Sequence, residues 1–360
     1  MKEHPSIHNR VTTPLSRKVP LAFRRGVRGE ARAWGEAPYK VCVWCITYNH
    51  APYITSAMDG FCRQQTRFPY ICTIFDDAST DGEPEVIEQY LHDHFNTEET
   101  KETDDYRLTI ARHQENKNCY FAVFLLKYNH HSLGKSRRAY YKDLIAGVDY
   151  VAFCEGDDYW TDVLKLQKQA DALDANPKAM LAYTGFRIID GEGKPLSRPV
   201  IESFSGCSHS GDNLPTLLRH LNYVMTLTTM YRMGVWFSDF FVDCPYKMDF
   251  ALTLSAALMG DFIWMPEQTA CYRSLESGMI ATALRQGVHW NQNVYRHYAS
   301  LVINGQCKPM SFRHHLNIMT LILMRAWKKK DKQLLKDTLR IRPLSCLLLP
   351  IAFVRLKIKY

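Results

Sequence analysis

The 360-residue sequence predicts an α/β fold with a mainly parallel sheet covered by helices on both faces. Three observations lead there. Short β-prone runs alternate with helix-periodic segments, polar or acidic clusters follow the ends of those runs, and an apolar content of 46% is enough for a full core in a chain of this length.

The first run, Lys40 to Thr47, ends in Asn49-His50-Ala51-Pro52, and Tyr53 to Gln65 then has helical spacing. Tyr70 to Phe75 forms a second run that stops at Asp76-Asp77-Ala78-Ser79-Thr80-Asp81-Gly82, before helical spacing from Pro84 to Phe95. A third strand is expected at Tyr106 to Ala111, followed by a polar loop at 113–118 and a further helix. Tyr150 to Cys154 is the fourth, ending in Glu155-Gly156-Asp157-Asp158. Beyond it come a helix from Asp162 to Ala175 stopped at Asn176-Pro177, a strand at Ala179 to Ile189, and a helix at Phe250 to Met259. In such sheets ligands bind beyond the carboxyl ends of the strands, so the three clusters are expected in one crevice.

Charge divides the chain into domains. Residues 1–38 carry eight Lys/Arg against three Asp/Glu, and residues 308–360 carry thirteen against two. The stretch between them has 24 basic and 32 acidic residues, a net charge of −8, so the overall +8 belongs to the ends. The expected organisation is a basic arm at 1–38, a catalytic domain at 39–290 and a basic helical region at 291–360. No nucleic-acid motif accompanies the basic runs. Eleven scattered cysteines without a secretory pattern point to a reducing, cytoplasmic compartment, and Cys42 and Cys45 are read as buried strand thiols. No window reaches the eighteen apolar residues that a membrane span needs.

Glu155, Asp157 and Asp158 place three carboxylates within four residues, which is costly without a cation. A divalent metal, Mn2+ or Mg2+, shared with substrate phosphates would account for them, while a helix cap is the plainer alternative. Asp81 and Gly82 read as cap and turn. Asp77 stands where a carboxylate can receive a nucleobase or ribose. Gly134-Lys135-Ser136 mimics the end of a phosphate loop but lacks its first glycine, since Asn129 holds that position.

Together, CVWCITYNHAPYITSAMDGFCRQ, FDDASTDG and YVAFCEGDDYWTDVLKLQKQ resemble the family 2 glycosyltransferases of bacteria over roughly residues 40 to 280. The resemblance implies a GT-A (Rossmann-like) fold and a sugar moved from a nucleotide-sugar donor, UDP-linked in the first instance, to a glycan or lipid-linked acceptor with inversion, in cell-surface polysaccharide synthesis. It puts Thr47, Tyr48, Asn49, Asp76 and Asp77 in the nucleotide pocket, with Asp77 on the base. Asp157 becomes the expected metal ligand, with Asp158 beside it, and Glu155 departs from the commoner Asp. Asp249 becomes the base, or a helix N-cap, and Arg273 a phosphate contact or a structural ion pair.

Two other readings share these features. A sugar-phosphate nucleotidyltransferase would need a Gly-rich basic loop where Thr47 to Pro52 stands, and a silent carbohydrate-binding scaffold would not need acids at both sites. The basic tail, with Leu316, Met319, Leu323, Leu334 and Leu335 among Lys and Arg, fits either an anionic inner membrane leaflet or the surface of the catalytic domain.

Overall fold

The computed structural model describes residues 39–142, 144–145, 147–202, 206–246, 249–275, 290–306 and 312–351. The basic arm at 1–38, Lys247 and Met248, and the chain's last nine residues lie outside this set.

Ten strands form one sheet in the order β3-β4-β5-β2-β1-β6-β9-β8-β10-β7. Its centre is parallel. β1 (Val41–Thr47) lies between β2 (Tyr70–Asp76) and β6 (Tyr150–Phe153), with Val41 beside both Tyr70 and Tyr150. β5 (Cys119–Leu126) extends this block parallel to β2. β8 (Ala179–Ile189) and β10 (Asp261–Arg273) form a second parallel pair, joined to β6 through the antiparallel β9 (Thr229–Arg232). At the other end β3 (Phe95–Glu102) and β4 (Tyr106–His113) make an antiparallel border, and β7 (Tyr159–Trp160) pairs with β10.

Two strands differ from the sequence expectation. Cys119 to Leu126, expected as a helix, is β5, because a strand buried on both faces is apolar throughout and loses the alternation that would mark it. Phe95 to Glu102 shows the reverse. Its mostly polar, exposed run has little strand character of its own and is extended because β4 pairs with it.

The longer helices, numbered in chain order, are α1 (Ile54–Cys62), α2 (Glu83–His94), α3 (Lys165–Ala175), α4 (Leu214–His220), α5 (Asp249–Met259), α6 (Trp290–Ile303), α7 (Phe312–Lys328) and α8 (Lys332–Ile341). Val41, Val43, Cys45, Cys72 and Ile74 face one side of the sheet and pack on Ala57, Met58, Phe61, Ile87 and Leu166 from α1, α2 and α3. Trp44 points the other way, into an aromatic group with Phe75, Tyr141 and Trp236. Two fully buried faces need near-continuous apolar strands, which is why VCVWCIT and YICTIF read as they do.

The tail is partly an extension of this core. Ile318, Met319, Leu321, Ile322 and Leu323 of α7 are buried, α7 packs on α4 and α8, and Arg325 Nη1 donates to the Arg219 carbonyl. That part of the basic region is therefore held against the α/β body rather than presented to a membrane. Among the described residues no helix is long and apolar enough to cross one.

Candidate active site

The loops after β1, β2 and β6 meet at the carboxyl edge of the parallel block and are tied to one another backbone to backbone. Asp77 N–H donates to the Thr47 carbonyl at 3.0 Å, and Gly156 N–H donates to the Ile46 carbonyl at 3.1 Å. Asn49 takes a left-handed conformation (φ 58°), which Asn tolerates better than most residues. Its backbone N–H donates to Ser79 Oγ, while its Oδ1 accepts from Thr80 N–H. The cluster sequences are thus largely the means by which these loops hold one another.

Glu83 is the fastener. It is fully buried in the first turn of α2, and its carboxylate accepts from the Thr47 hydroxyl, His50 N–H (2.8 Å) and Ser79 Oγ–H (2.9 Å). From sequence it looks like an ordinary acidic residue at a helix start; only its contact with a loop more than thirty residues away gives it this role. Asp81, expected as cap and turn, accepts from Glu83 N–H and also receives Ala51 N–H.

Asp76 and Asp77 are adjacent and buried but differ in what they bind. Both oxygens of Asp77 are used inside the protein: Oδ1 accepts from His130 N–H (2.8 Å), Oδ2 accepts from His131 N–H (3.0 Å), and Arg137 Nη1 lies 3.3 Å from Oδ1. These contacts make Asp77 a clasp on the 128–137 loop. Asp76 instead accepts from Ser79 N–H on Oδ2, and its buried Oδ1 has no hydrogen bond among the described residues. Burial pushes its carboxyl up to about 6, partly offset by Ser79. A buried acceptor without a donor is costly, which sets Asp76 Oδ1 apart from the oxygens of Asp77.

Glycine at 156 is imposed by packing. A Cβ there would collide with the Thr47 side chain, because the β6 loop runs directly over the end of β1. On either side the carboxylates diverge. Asp158 is buried (3% exposed) and accepts from the backbone N–H of Arg273 at 2.7 Å, so it faces the protein. Asp157 is one-fifth exposed and faces the cleft, with Oδ2 3.8 Å from His50 Nε2. The Glu155 carboxyl is pushed up to about 8, chiefly by burial, then by the charges of Asp249 and Asp157.

Asp249, at the start of α5, joins this group from 94 positions further along the chain. Thr226 Oγ1 donates to its Oδ2 at 2.9 Å. Its surface is reachable by solvent, yet it lies in a recess where surrounding protein displaces enough water to raise its carboxyl above the ordinary range, with Thr226 opposing. Arg273 is committed elsewhere. Its guanidinium donates to the carbonyls of Asp157, Asp190 and Gly191 and lies 4.4 Å from the centre of the Tyr53 ring, so it braces the loops as a structural residue. Thr47 is buried within the fastening, whereas Tyr48 and Asn49 are exposed at the rim.

Residues 42–220 match the family described as Glycosyl transferase family 2. The chain belongs to that family. The uncharacterized proteins Mb1547 of Mycobacterium bovis and Rv1520 of Mycobacterium tuberculosis are each 31% identical to it over 236 residues, 65% of this chain. The chain spans 58% of the length of those curated relatives. Among solved structures, S. aureus TarS 1–349 in complex with UDP-GlcNAc superposes with a TM-score of 0.53 at 18% identity, covering 80% of this chain and 73% of TarS 1–349. The same protein in complex with UDP gives 0.52 at 17%, covering 87% and 86%. At these identities the likeness is one of fold, and that fold is GT-A, as the motifs of the family 2 domain imply.

Proposed function

We propose that this protein is an inverting, metal-dependent glycosyltransferase that moves a sugar from a nucleoside-diphosphate donor to a hydroxyl of a glycan or lipid-linked acceptor. The observation behind this reading is the meeting of Glu155 and Asp157 with Asp249, two carboxylate groups from distant segments, at the carboxyl edge of a parallel sheet. Asp249 takes the proton of the acceptor hydroxyl as it attacks the anomeric carbon. Asp76, through its unpartnered Oδ1, receives an N–H of the base or a ribose hydroxyl, with Tyr48 and Asn49 along the pocket rim and Thr47 beneath it.

Among the described residues no three His, Cys, Asp or Glu side chains form a closed metal cage. A Mn2+ or Mg2+ ion held by one or two carboxylates and completed by substrate phosphates needs none. The donor set fits that description: Asp157 faces the cleft, and Glu155 carries like-charge repulsion that a cation relieves. Asp158, which accepts from the Arg273 backbone N–H, is left beside this set. When bound, the ion stabilises negative charge on the departing diphosphate.

The donor is found by thermal shift of the full chain against UDP-, GDP- and dTDP-sugars with and without Mn2+. The expected result is a rise with one nucleotide class that depends on Mn2+, equivalent to about 2.7 kcal/mol at a hundredfold excess over Kd. No shift with any of them would remove the donor assignment.

A specific surface also favours attachment to the inner face of the cytoplasmic membrane. Past the buried part of α7, Trp327, Ile341, Leu344, Leu347 and Ile351 are exposed, the last four at spacings of three and four residues, and Lys329, Lys330, Lys332, Lys336 and Arg340 are exposed among them. An anionic lipid surface satisfies both features, with each basic side chain near it contributing about 1 kcal/mol. Sedimentation should recover the protein with phosphatidylserine vesicles and not with phosphatidylcholine ones, and Leu344→Glu/Leu347→Glu should abolish the difference; equal recovery on both would end this reading.

A further inference from the structure

His50 occupies a position in the cleft that the reaction above leaves unused, and its hydrogen bonds decide which ring nitrogen donates. The buried Glu83 carboxylate accepts from the Thr47 hydroxyl as well as from His50 N–H and Ser79 Oγ–H. With its only hydrogen directed at Glu83, Thr47 Oγ1 can only accept from the imidazole Nδ1 that lies 3.2 Å away. Nδ1 therefore carries a hydrogen, and Nε2 is the nitrogen left to offer a lone pair to a cation. That atom faces Asp157 Oδ2 at 3.8 Å. The separation is too long for a hydrogen bond. It is shorter than the roughly 4.2 Å between two ligands on opposite sides of an ion with about 2.1 Å bonds. Two electron-pair donors facing one another across such a gap are arranged to share a cation.

We infer that His50 is a nitrogen ligand of the divalent ion alongside Asp157, its tautomer set by the chain Glu83–Thr47–His50. The inference rests on the metal-dependent reading above and goes beyond it, because the sequence placed only carboxylates at the ion. A buried carboxylate acting through a hydroxyl on the far nitrogen is the outer-shell support that ligating histidines commonly have, and it also raises the basicity of the ligating nitrogen. The consequence is a choice of metal. An imidazole ligand favours Mn2+ and later transition metals over Mg2+, which prefers oxygen throughout. Gly156 belongs to the same design, since only a residue without Cβ lets the Asp157 loop approach Thr47 this closely.

The test is electron spin echo spectroscopy of Mn2+ bound to the full-length protein with UDP, together with Mn2+ and Mg2+ affinities by titration. The wild type should show 14N modulation from a directly bound imidazole, and labelling with 15N-histidine should remove it. In His50→Ala the modulation disappears and Mn2+ binds about 10- to 100-fold more weakly, with little change for Mg2+. Thr47→Val, which keeps the ring and deletes its Nδ1 partner, weakens Mn2+ in the same direction while retaining the nitrogen signal. Mn2+ bound by wild type without nitrogen modulation, or a His50→Ala spectrum equal to wild type, overturns the inference and leaves metal dependence standing. Failure of the wild type to bind Mn2+ with UDP overturns both.

Discussion

Asp249→Asn should lower turnover by about a hundred- to ten-thousand-fold while nucleotide affinity stays within about twofold of wild type. The substitution removes the proton acceptor and keeps the side-chain shape, and the Thr226 hydroxyl can still donate to the new amide oxygen. Asp249 is supplied by α5 and not by the β1 and β2 loops proposed to hold the nucleotide. Steady-state transfer assays paired with nucleotide titration separate the two effects. Near-normal turnover would reassign Asp249 to capping α5, and a parallel loss of nucleotide affinity would place it in donor binding instead. An ancillary sign is built into the charges. Glu155 is raised partly by Asp249, so its carboxyl should titrate lower in the variant, readable by carboxylate NMR or infrared difference spectra.

Gly156→Ala is expected to damage both stability and the site. The added Cβ meets Thr47 side-chain atoms on one side and Ile54 on the other, and Thr47 cannot retreat, because its hydroxyl is bound to Glu83 and its carbonyl to Asp77 N–H. Overpacking of this kind costs about 1–3 kcal/mol of stability. The larger loss is functional: the β6 loop must lift away from β1, carrying Asp157 and Glu155 with it. Urea denaturation should show the lower midpoint, and donor-dependent activity should fall by more than the stability loss explains. A variant with wild-type activity and midpoint would mean that the loop has room that the structure does not give it.

Much of the fold was legible because a parallel sheet writes itself into composition. VCVWCIT, YICTIF and YVAF are apolar throughout since both faces are covered, and each ends in a polar cluster where the chain leaves the core. The same rule concealed β5, whose run CYFAVFLL is equally apolar and equally compatible with a buried helix until its neighbour β2 is known. The β3 run FNTEETKE was illegible for the opposite reason, since pairing with β4 and not its own residues makes it a strand.

For the site, local pattern identified which segments carry carboxylates, and could not say where each carboxylate points. Asp76 and Asp77 are equivalent in the sequence. In the structure one clasps the 128–137 loop and the other holds an unpartnered oxygen, because successive side chains at a strand end leave on opposite sides. Asp157 and Asp158 divide in the same way, one into the cleft and one onto Arg273 N–H. Arg273 itself, readable as a phosphate contact, donates to three backbone carbonyls. Thus the sequence alone determined the α/β class, the carboxyl-edge location of the acidic clusters and the family, all of which follow from short-range pattern. Only the tertiary structure decided which acids face the cleft, that Glu83 fastens the loops and that His50 presents Nε2 to Asp157. Those outcomes depend on hydrogen bonds between segments far apart in the chain, whose partners no local window contains.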